Sequence, residues 1–373
     1  MKLLVLAQTP SPLHGQSLMV RALVAGLPSE RITIVHVNLP LSRDGADVGR
    51  VRPGKIATAC AAACRAIIQG RRQRCDTLYY VPAPAKRGAL YRDWLILLLC
   101  RPWFRHTVLH WHAAGLGEWI ETRATGVERA LTQRALGRAS LALVLGEALV
   151  GDAAVFRPRR TVVVRNGIAD PCPGFARLPR REASTLTALF IGLCSREKGV
   201  LASAAGVIAA NAPATRAGDA PCFRLVAAGE FPDDATRCEF EQLAAASGGA
   251  VTHAGFATGE AKHRLFATAD VLVFPTQYPH ETQGLVVAEA LAYDLPVITT
   301  RWRAVHENLP ARHVHFVAPD DPAAIAAALE RVRTEPPASG AQRTHFLRHY
   351  TVDAHLRALE RALLEMDRPP ATT

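Results

Sequence analysis

No stretch of the 373-residue chain approaches the ~20 consecutive apolar residues that a membrane-spanning helix needs. The longest candidate, Trp94 to Cys100, is cut off by Arg101 after seven residues. The opening MKLLVLAQTP does not read as a secretory signal, because its apolar run has strand length and no small-residue cleavage site follows. Cysteine is sparse and scattered, at positions 60, 64, 75, 100, 172, 194, 222 and 238, with no CxxC pair. That spacing offers no disulfide framework and reads as reduced cytosolic thiols, mostly filling cores. There is no GxGxxG, no GxxxxGK[ST] and no GxSxG. A dinucleotide fingerprint, a Walker phosphate loop and a nucleophile elbow are therefore not supported. Nor are any two Asp residues separated by a single residue, so a short Asp-x-Asp metal motif is missing.

What is present describes an ordinary globular protein, 49% hydrophobic and 21% charged. Its length exceeds the size at which one core stops growing, so two domains are expected. The net charge of +11 is unevenly spread. Residues 1–170 hold 24 Lys and Arg against 11 Asp and Glu, whereas residues 171–373 hold 20 against 22. A basic N-terminal half suits a polyanionic partner, either an acidic membrane surface or a nucleic acid. Arginine-favouring codon usage produces the same asymmetry with no partner at all.

The order of elements follows from hydrophobic period and turn chemistry. Strands are expected at Lys2 to Ala7, Ile32 to Leu39, Thr77 to Pro82, Thr107 to His112, Leu141 to Leu145 and Thr161 to Arg165. Between them the pattern predicts helices at Ser17 to Leu27, Lys55 to Arg74, Ala89 to Cys100 and Glu118 to Leu136. Asn166 to Ser184 has prolines at 171, 173 and 179 and no hydrophobic period, which marks a linker over 171–184. The pattern then restarts, with strands beginning at Leu186, Phe223, Val251, Val271, Pro296 and Val314. Helices are expected at 198–210, 233–247, 259–268, within the stretch after Val271, at Pro322 to Arg333 and at Asp353 to Met366, before a frayed RPPATT. Strands alternating with helices imply an α/β protein with two doubly wound, Rossmann-like halves facing each other across a cleft. The expected domains are 1–170, 185–350, and a C-terminal helix in 351–373 packing back toward the first.

The chemistry-bearing candidates are each ambiguous alone. Glu281 and Glu289, with seven residues between them, stand in a loop and on the helix of one β-loop-α-β unit; two solvated or capping carboxylates would look the same. Ser195-Arg196-Glu197-Lys198-Gly199 follows a strand and opens a helix, where a lysine beside backbone N–H groups suits a phosphate. A charged helix start is the plainer account. Asn166 and Gly167 end a strand, a place that a simple Asn-Gly turn accounts for equally. Gly15 either lets the chain approach a ligand or relaxes a turn. His110 and His112 project to one face of a strand, as in some metal hydrolases, but no further ligands accompany them, and a satisfied strand-end histidine fits equally.

Taken together and in order, PLHGQS, HWHAAG, RNGI, FIGLCSREKG and HETQGLVVAEALAYDLPVITT resemble the retaining family 4 glycosyltransferases of GT-B architecture. The resemblance spans nearly the whole chain. It implies transfer of a hexose-type sugar from a nucleotide-diphosphate sugar to a glycan or lipid-linked saccharide in polysaccharide or glycoconjugate synthesis, with no cofactor and no metal. Carried over by position, Glu289 holds the ribose hydroxyls, while Glu281 contacts the sugar and stabilises the transition state. Lys198 neutralises the diphosphate, which backbone N–H groups of Thr282, Gln283, Gly284 and Leu285 cradle. His112 hydrogen-bonds the transferred sugar, Gly15 and Gln16 lie near donor or acceptor, and Asn166 joins the donor site. One departure stands out, because the family's GRxxxxKG has an Arg where this chain has Leu193. Arg196 is the nearby replacement. The implied partners are the nucleotide sugar, the acceptor and an anionic membrane surface touched by Arg71, Arg72 and Arg74, with no nucleic acid. The implied location is cytoplasmic, peripheral at the inner membrane face; a soluble acceptor with an idle basic surface is the alternative. A non-catalytic nucleotide-sugar-binding subunit is the competing function, motivated by Leu193.

Overall fold

The computed structural model describes residues 1–10, 15–39, 53–176, 185–335 and 340–366. The chain divides into two compact units, Met1–Gly167 with Val352–Thr373, and Ile168–Thr351. Each is built on a six-stranded parallel sheet.

The first unit runs β1 (Lys2–Ala7), α1 (Gly15–Ala25), β2 (Thr33–Asn38), α2 (Pro53–Gln73), β3 (Thr77–Tyr80), α3 (Arg87–Cys100), β4 (His106–His110), α4 (Leu116–Thr122), α5 (Gly126–Leu136), β5 (Leu141–Val144), α6 (Val150–Ala154) and β6 (Thr161–Val163). The strand order is β2-β1-β3-β4-β5-β6. β1 reads KLLVLA with five consecutive buried residues, the unbroken apolar run of a strand covered on both faces. The single helix expected over Glu118 to Leu136 is two helices. Thr125 and Glu128 form a capping box, Thr125 N donating to Glu128 Oε2 at 2.9 Å and Glu128 N to Thr125 Oγ1 at 3.2 Å. Such a box starts a new helix.

The second unit runs β7 (Leu186–Ile191), α7 (Val200–Ala217), β8 (Phe223–Ala228), α8 (Asp234–Ala246), β9 (Val251–His253), α9 (Gly259–Thr268), β10 (Val271–Phe274), α10 (Leu285–Ala292), β11 (Val297–Thr300), β12 (Val314–Val317), α11 (Pro322–Thr334) and α12 (Ala341–His349). Its strand order is β12-β11-β10-β7-β8-β9, the doubly wound order in which the winding reverses between β7 and β10. Helix α12 has no counterpart among the expected elements. Its start is capped from far away in sequence, Asp294 accepting from the backbone N–H of Gly340, Gln342 and Arg343 at 2.6, 2.9 and 3.1 Å.

The final helix, α13 (Val352–Leu364), belongs to the first unit, burying Leu359, Ala362 and Leu363 in the core that holds Leu3, Val5, Tyr79 and Leu141. The chain passes between units at Gly167–Ile168 and again at Thr351–Val352. Residues 171–176, expected as linker, are docked onto the second unit. Cys172 is buried in its core, and Arg343 Nη2 pairs with Asp170 at 2.7 Å. The rest of that expected linker, 177–184, and the RPPATT tail lie outside the described residues.

Candidate active site

In an open α/β sheet the ligand crevice lies beyond the strand carboxyl ends where winding reverses, because the connections there diverge to opposite faces. In the second unit this point is the pair β7 and β10. The loop after β7 is Gly192 to Gly199, and the loop after β10 is Pro275 to Gly284. They bring Lys198 and Glu281 together, 83 residues apart in sequence, with Lys198 Nζ 2.5 Å from Glu281 Oε2. Both side chains are largely buried, 19% and 11% exposed. The ammonium also sits 5.0 Å from the Tyr278 ring centre and 5.5 Å from that of Phe274, where the negative ring faces favour a cation. Burial, then the charges of Glu281 and Glu197, raise the Tyr278 hydroxyl above its ordinary value.

Backbone contacts hold the two loops in register. Gln277 N donates to Glu197 O at 2.7 Å, and Lys198 N donates to Ser195 Oγ at 3.2 Å. Gly199 adopts φ +88, and a Cβ there would lie 2.6 Å from Pro275 Cγ and 2.7 Å from Pro275 O. Only glycine lets the lysine loop lie this close to the end of β10. Gly229, after β8, meets the same demand, since its Cβ would stand 1.7 Å from Gly192 O.

Thr282 and Gln283 are buried. Gly284, at φ 67, is the residue before α10, whose first helical residue is Leu285; the leading N–H groups of a helix have no intrahelical acceptor and favour an anion. Glu289 lies on α10 and pairs with Lys262 of α9, Nζ to Oε1 2.6 Å. Both line a cavity of about 560 Å³ together with His263, Phe266, Tyr293 and Pro171. Arg196 is not gathered with Lys198. Its guanidinium is engaged by Glu239 of α8, with the arginine side chain 56% exposed, and Leu193, at the position the family pattern gives to arginine, is 41% exposed.

The remaining candidates belong to the first unit. Gly15 and Gln16 open α1, and Asn166 is buried just after β6. His112 follows β4, its ring centroid 4.2 Å from that of His110. His110 is fully buried, with Nδ1 sharing a 2.5 Å hydrogen bond with the Tyr79 hydroxyl. His355 of α13 shares a 2.7 Å bond with Arg165 O. Burial, reinforced by the charges of His112 and His355, pushes His110 well below the usual histidine range. Burial also lowers His355, against a smaller opposing effect of its bond to Arg165. Among the described residues no group of three or more His, Cys, Asp or Glu is placed to hold a metal ion.

Sequence reasoning missed Tyr278, Phe274 and Lys262. Nothing in sequence spacing ties Lys262 to Glu289, because α9 and α10 are separated by a strand and a loop.

Residues 186–335 match the family described as Glycosyl transferases group 1. That stretch is a glycosyltransferase domain. It contains Lys198, Lys262, Glu281 and Glu289. No curated protein matches the chain at a significant level. Among solved structures, the chain is similar to the sucrose-phosphate synthase of Thermosynechococcus elongatus (TM-score 0.70, 16% identity, covering 98% of this chain and 99% of the other). It is also similar to HepE of Anabaena in complex with UDP (0.69, 16%, 98% and 100%), a protein also solved with UDP-glucose. A third is a UDP-forming α,α-trehalose-phosphate synthase from Burkholderia xenovorans (0.68, 11%, 99% and 99%). These likenesses identify the fold as GT-B, two Rossmann-like units in one chain. No described helix is long and apolar enough to cross a membrane.

Proposed function

We propose that this glycosyltransferase moves a hexose-type sugar from a nucleotide-diphosphate sugar to a glycan or lipid-linked saccharide, with retention of anomeric configuration and without a metal. The observation that carries the reading is Lys198 beside Glu281 at the winding reversal of the glycosyltransferase domain. A largely buried ammonium two residues before the start of α7 suits a leaving diphosphate, and a carboxylate at hydrogen-bond distance from it suits the sugar that the diphosphate carries. Solved relatives of the fold hold UDP and UDP-glucose, which favours a nucleotide-sugar donor here.

In this reading the glycosyl–phosphate bond breaks with positive charge growing on the anomeric carbon and negative charge on the diphosphate. Lys198 exchanges Glu281 for a phosphate oxygen, and the N–H groups from Thr282 to Leu285 share the charge. Glu281, freed on one oxygen, accepts sugar hydroxyls and faces the developing cation. The acceptor hydroxyl attacks from the face the diphosphate leaves. Its oxygen bonds to the anomeric carbon, and its proton passes to the departing phosphate oxygen. Glu289 takes the ribose hydroxyls. His112 and Asn166, with Gly15 and Gln16, are assigned to the transferred sugar and its donor or acceptor on the resemblance.

The basic first unit supports a location at a membrane face. Around Arg71 and Arg72 on α2, Ile68 is 50% and Trp103 49% exposed, and the Arg71 guanidinium lies 5.0 Å from the Trp103 ring centre. Cations interleaved with exposed apolar side chains suit anionic headgroups above an acyl boundary.

The test is transfer activity. Lys198→Ala and Glu281→Ala should each cost about 10²- to 10³-fold in turnover with unchanged far-ultraviolet circular dichroism; full activity in both overturns the proposal. Thermal shift against UDP-, GDP- and ADP-sugars should single out one base. A second reading, a non-catalytic nucleotide-sugar-binding subunit, is favoured by exposed Leu193 and by the engagement of Arg196 with Glu239. Donor binding with neither transfer nor hydrolysis would select it.

A further inference from the structure

Glu289 does not stand alone in its cavity. Lys262, in the first turn of α9, donates to Glu289 Oε1 at 2.6 Å. The pair is only partly exposed, 32% for the lysine and 21% for the glutamate. The ammonium also faces an aromatic ring, with Nζ 5.9 Å from the centre of Phe266. Phe266 stacks on Tyr293, their centroids 5.1 Å apart and planes 7° from parallel, and the Tyr293 hydroxyl shares a 2.7 Å bond with His263 Nδ1. These rings tie α9 to α10, so the ammonium and the carboxylate are carried on two helices braced against each other.

We propose that Lys262 is the positioning residue that sets Glu289 for a vicinal diol. The inference rests on reading Glu289 as the ribose carboxylate. A glutamate on a helix has three rotatable side-chain bonds, and a pair of adjacent hydroxyls is bound well only when both carboxylate oxygens lie in one plane facing them. An ionised carboxylate offers about four lone-pair sites. Lys262 occupies one on Oε1 and leaves the others for the diol, so a single ion pair fixes the orientation without exhausting the acceptor. Fixing it before the ligand arrives removes an ordering cost from binding. The opposite expectation, that the lysine competes with the ligand, would need the diol to displace it; the unused acceptor sites make displacement unnecessary.

The experiment measures binding, which needs no acceptor. The full chain is titrated with UDP, GDP and ADP, and the tightest is carried forward with its 2′-deoxy and 3′-deoxy forms through Lys262→Met, Lys262→Arg, Glu289→Ala and the double variant Lys262→Met/Glu289→Ala. Lys262→Met should weaken the ribonucleotide about tenfold, as expected for a lost charge-assisted contact. It should also shrink the preference for ribose over the deoxy forms, and Lys262→Arg, which keeps the positive charge, should recover part of both losses. In the Glu289→Ala background the lysine change should add nothing. Unchanged or tighter binding by Lys262→Met overturns the proposal. So does an equal loss with or without Glu289, or a loss that spares the ribose preference, which would mark a merely structural lysine. Failure of the underlying reading looks different: Glu289→Ala would leave both binding and ribose preference at wild-type values, or none of the three nucleotides would bind.

Discussion

Gly199→Ala separates the geometry of the lysine loop from its charge. The residue sits at φ +88, where an L side chain costs about 1–2 kcal/mol. Its new Cβ would meet Pro275 Cγ at 2.6 Å and Pro275 O at 2.7 Å. Neither atom can rotate away, one belonging to a ring and the other to the backbone, so the loop must move off β10. Overpacking of this kind costs about 1–3 kcal/mol, and the two contributions sum to roughly 2–5 kcal/mol. Gly218 supplies the control, since at φ +75 it faces nothing within 4 Å. Gly218→Ala should cost only the conformational part, about 1–2 kcal/mol. The difference in urea midpoint between the two variants therefore reports the contact with Pro275. Displacing Lys198 by about 1 Å should lower transfer by about 100-fold, while Gly218→Ala keeps it. Equal midpoints with undiminished transfer in Gly199→Ala would refute the claim that close approach at Pro275 positions Lys198.

Two further outcomes test the first unit. Arg71→Ala combined with Arg72→Ala should reduce partition onto phosphatidylglycerol vesicles by roughly 30-fold, at about 1 kcal/mol per arginine. Trp103→Ala should weaken it further, and salt-insensitive binding unaffected by all three changes would discard the membrane surface. His110 and His355 are both held below the ordinary histidine range, so the unfolded chain takes up protons that the folded unit refuses. Stability should accordingly be complete above about pH 6.5 and fall below it, by up to about 1.4 kcal/mol per pH unit for each group until its folded value is reached. Thermal melts across pH 5 to 8 check this. A melt that rises toward acid, or a slope that His355→Gln leaves unaltered, would contradict it.

Elements were legible in the sequence where a local signal encodes them. Buried parallel strands are written as apolar runs such as LVLA and VLVF, and they stand where expected. The break between α4 and α5 was also encoded, as Thr125-x-x-Glu128, yet a continuous hydrophobic pattern across it hid the cap. Helix α12 was not legible in the same way. Its segment is polar, and its cap is the carboxylate of Asp294, 46 residues from Gly340. The proline-rich stretch after Asn166 looked like a tether because its anchors, Arg343 to Asp170 and the burial of Cys172, are likewise distant in sequence. The candidate site divides along the same line. Lys198 and the pair Glu281 and Glu289 were found separately and joined only by family likeness, whereas Tyr278 and Lys262 are members by contact alone.

The pairing of Lys198 with Glu281 nevertheless follows from a feature one step above local sequence. Six β-α repeats laid down in simple order would leave the ends of the first and fourth strands apart. Reversal of the winding after the third strand sets the fourth beside the first. The helices that follow these two strands then leave on opposite faces, which right-handed crossovers require. The gap they leave at the carboxyl edge is where both loops must run. Whichever residues occupy the loops after β7 and β10 become neighbours, so charge placed in them acts as one site. The same reversal in the first unit lies between β1 and β3. It gives residues 81–86, after β3, the corresponding place there, at the carboxyl edge where substrate contacts are expected. Alanine substitution of Lys86 in that loop should raise the acceptor KM while leaving the donor's unchanged; a change in donor KM alone would assign the loop to the other substrate.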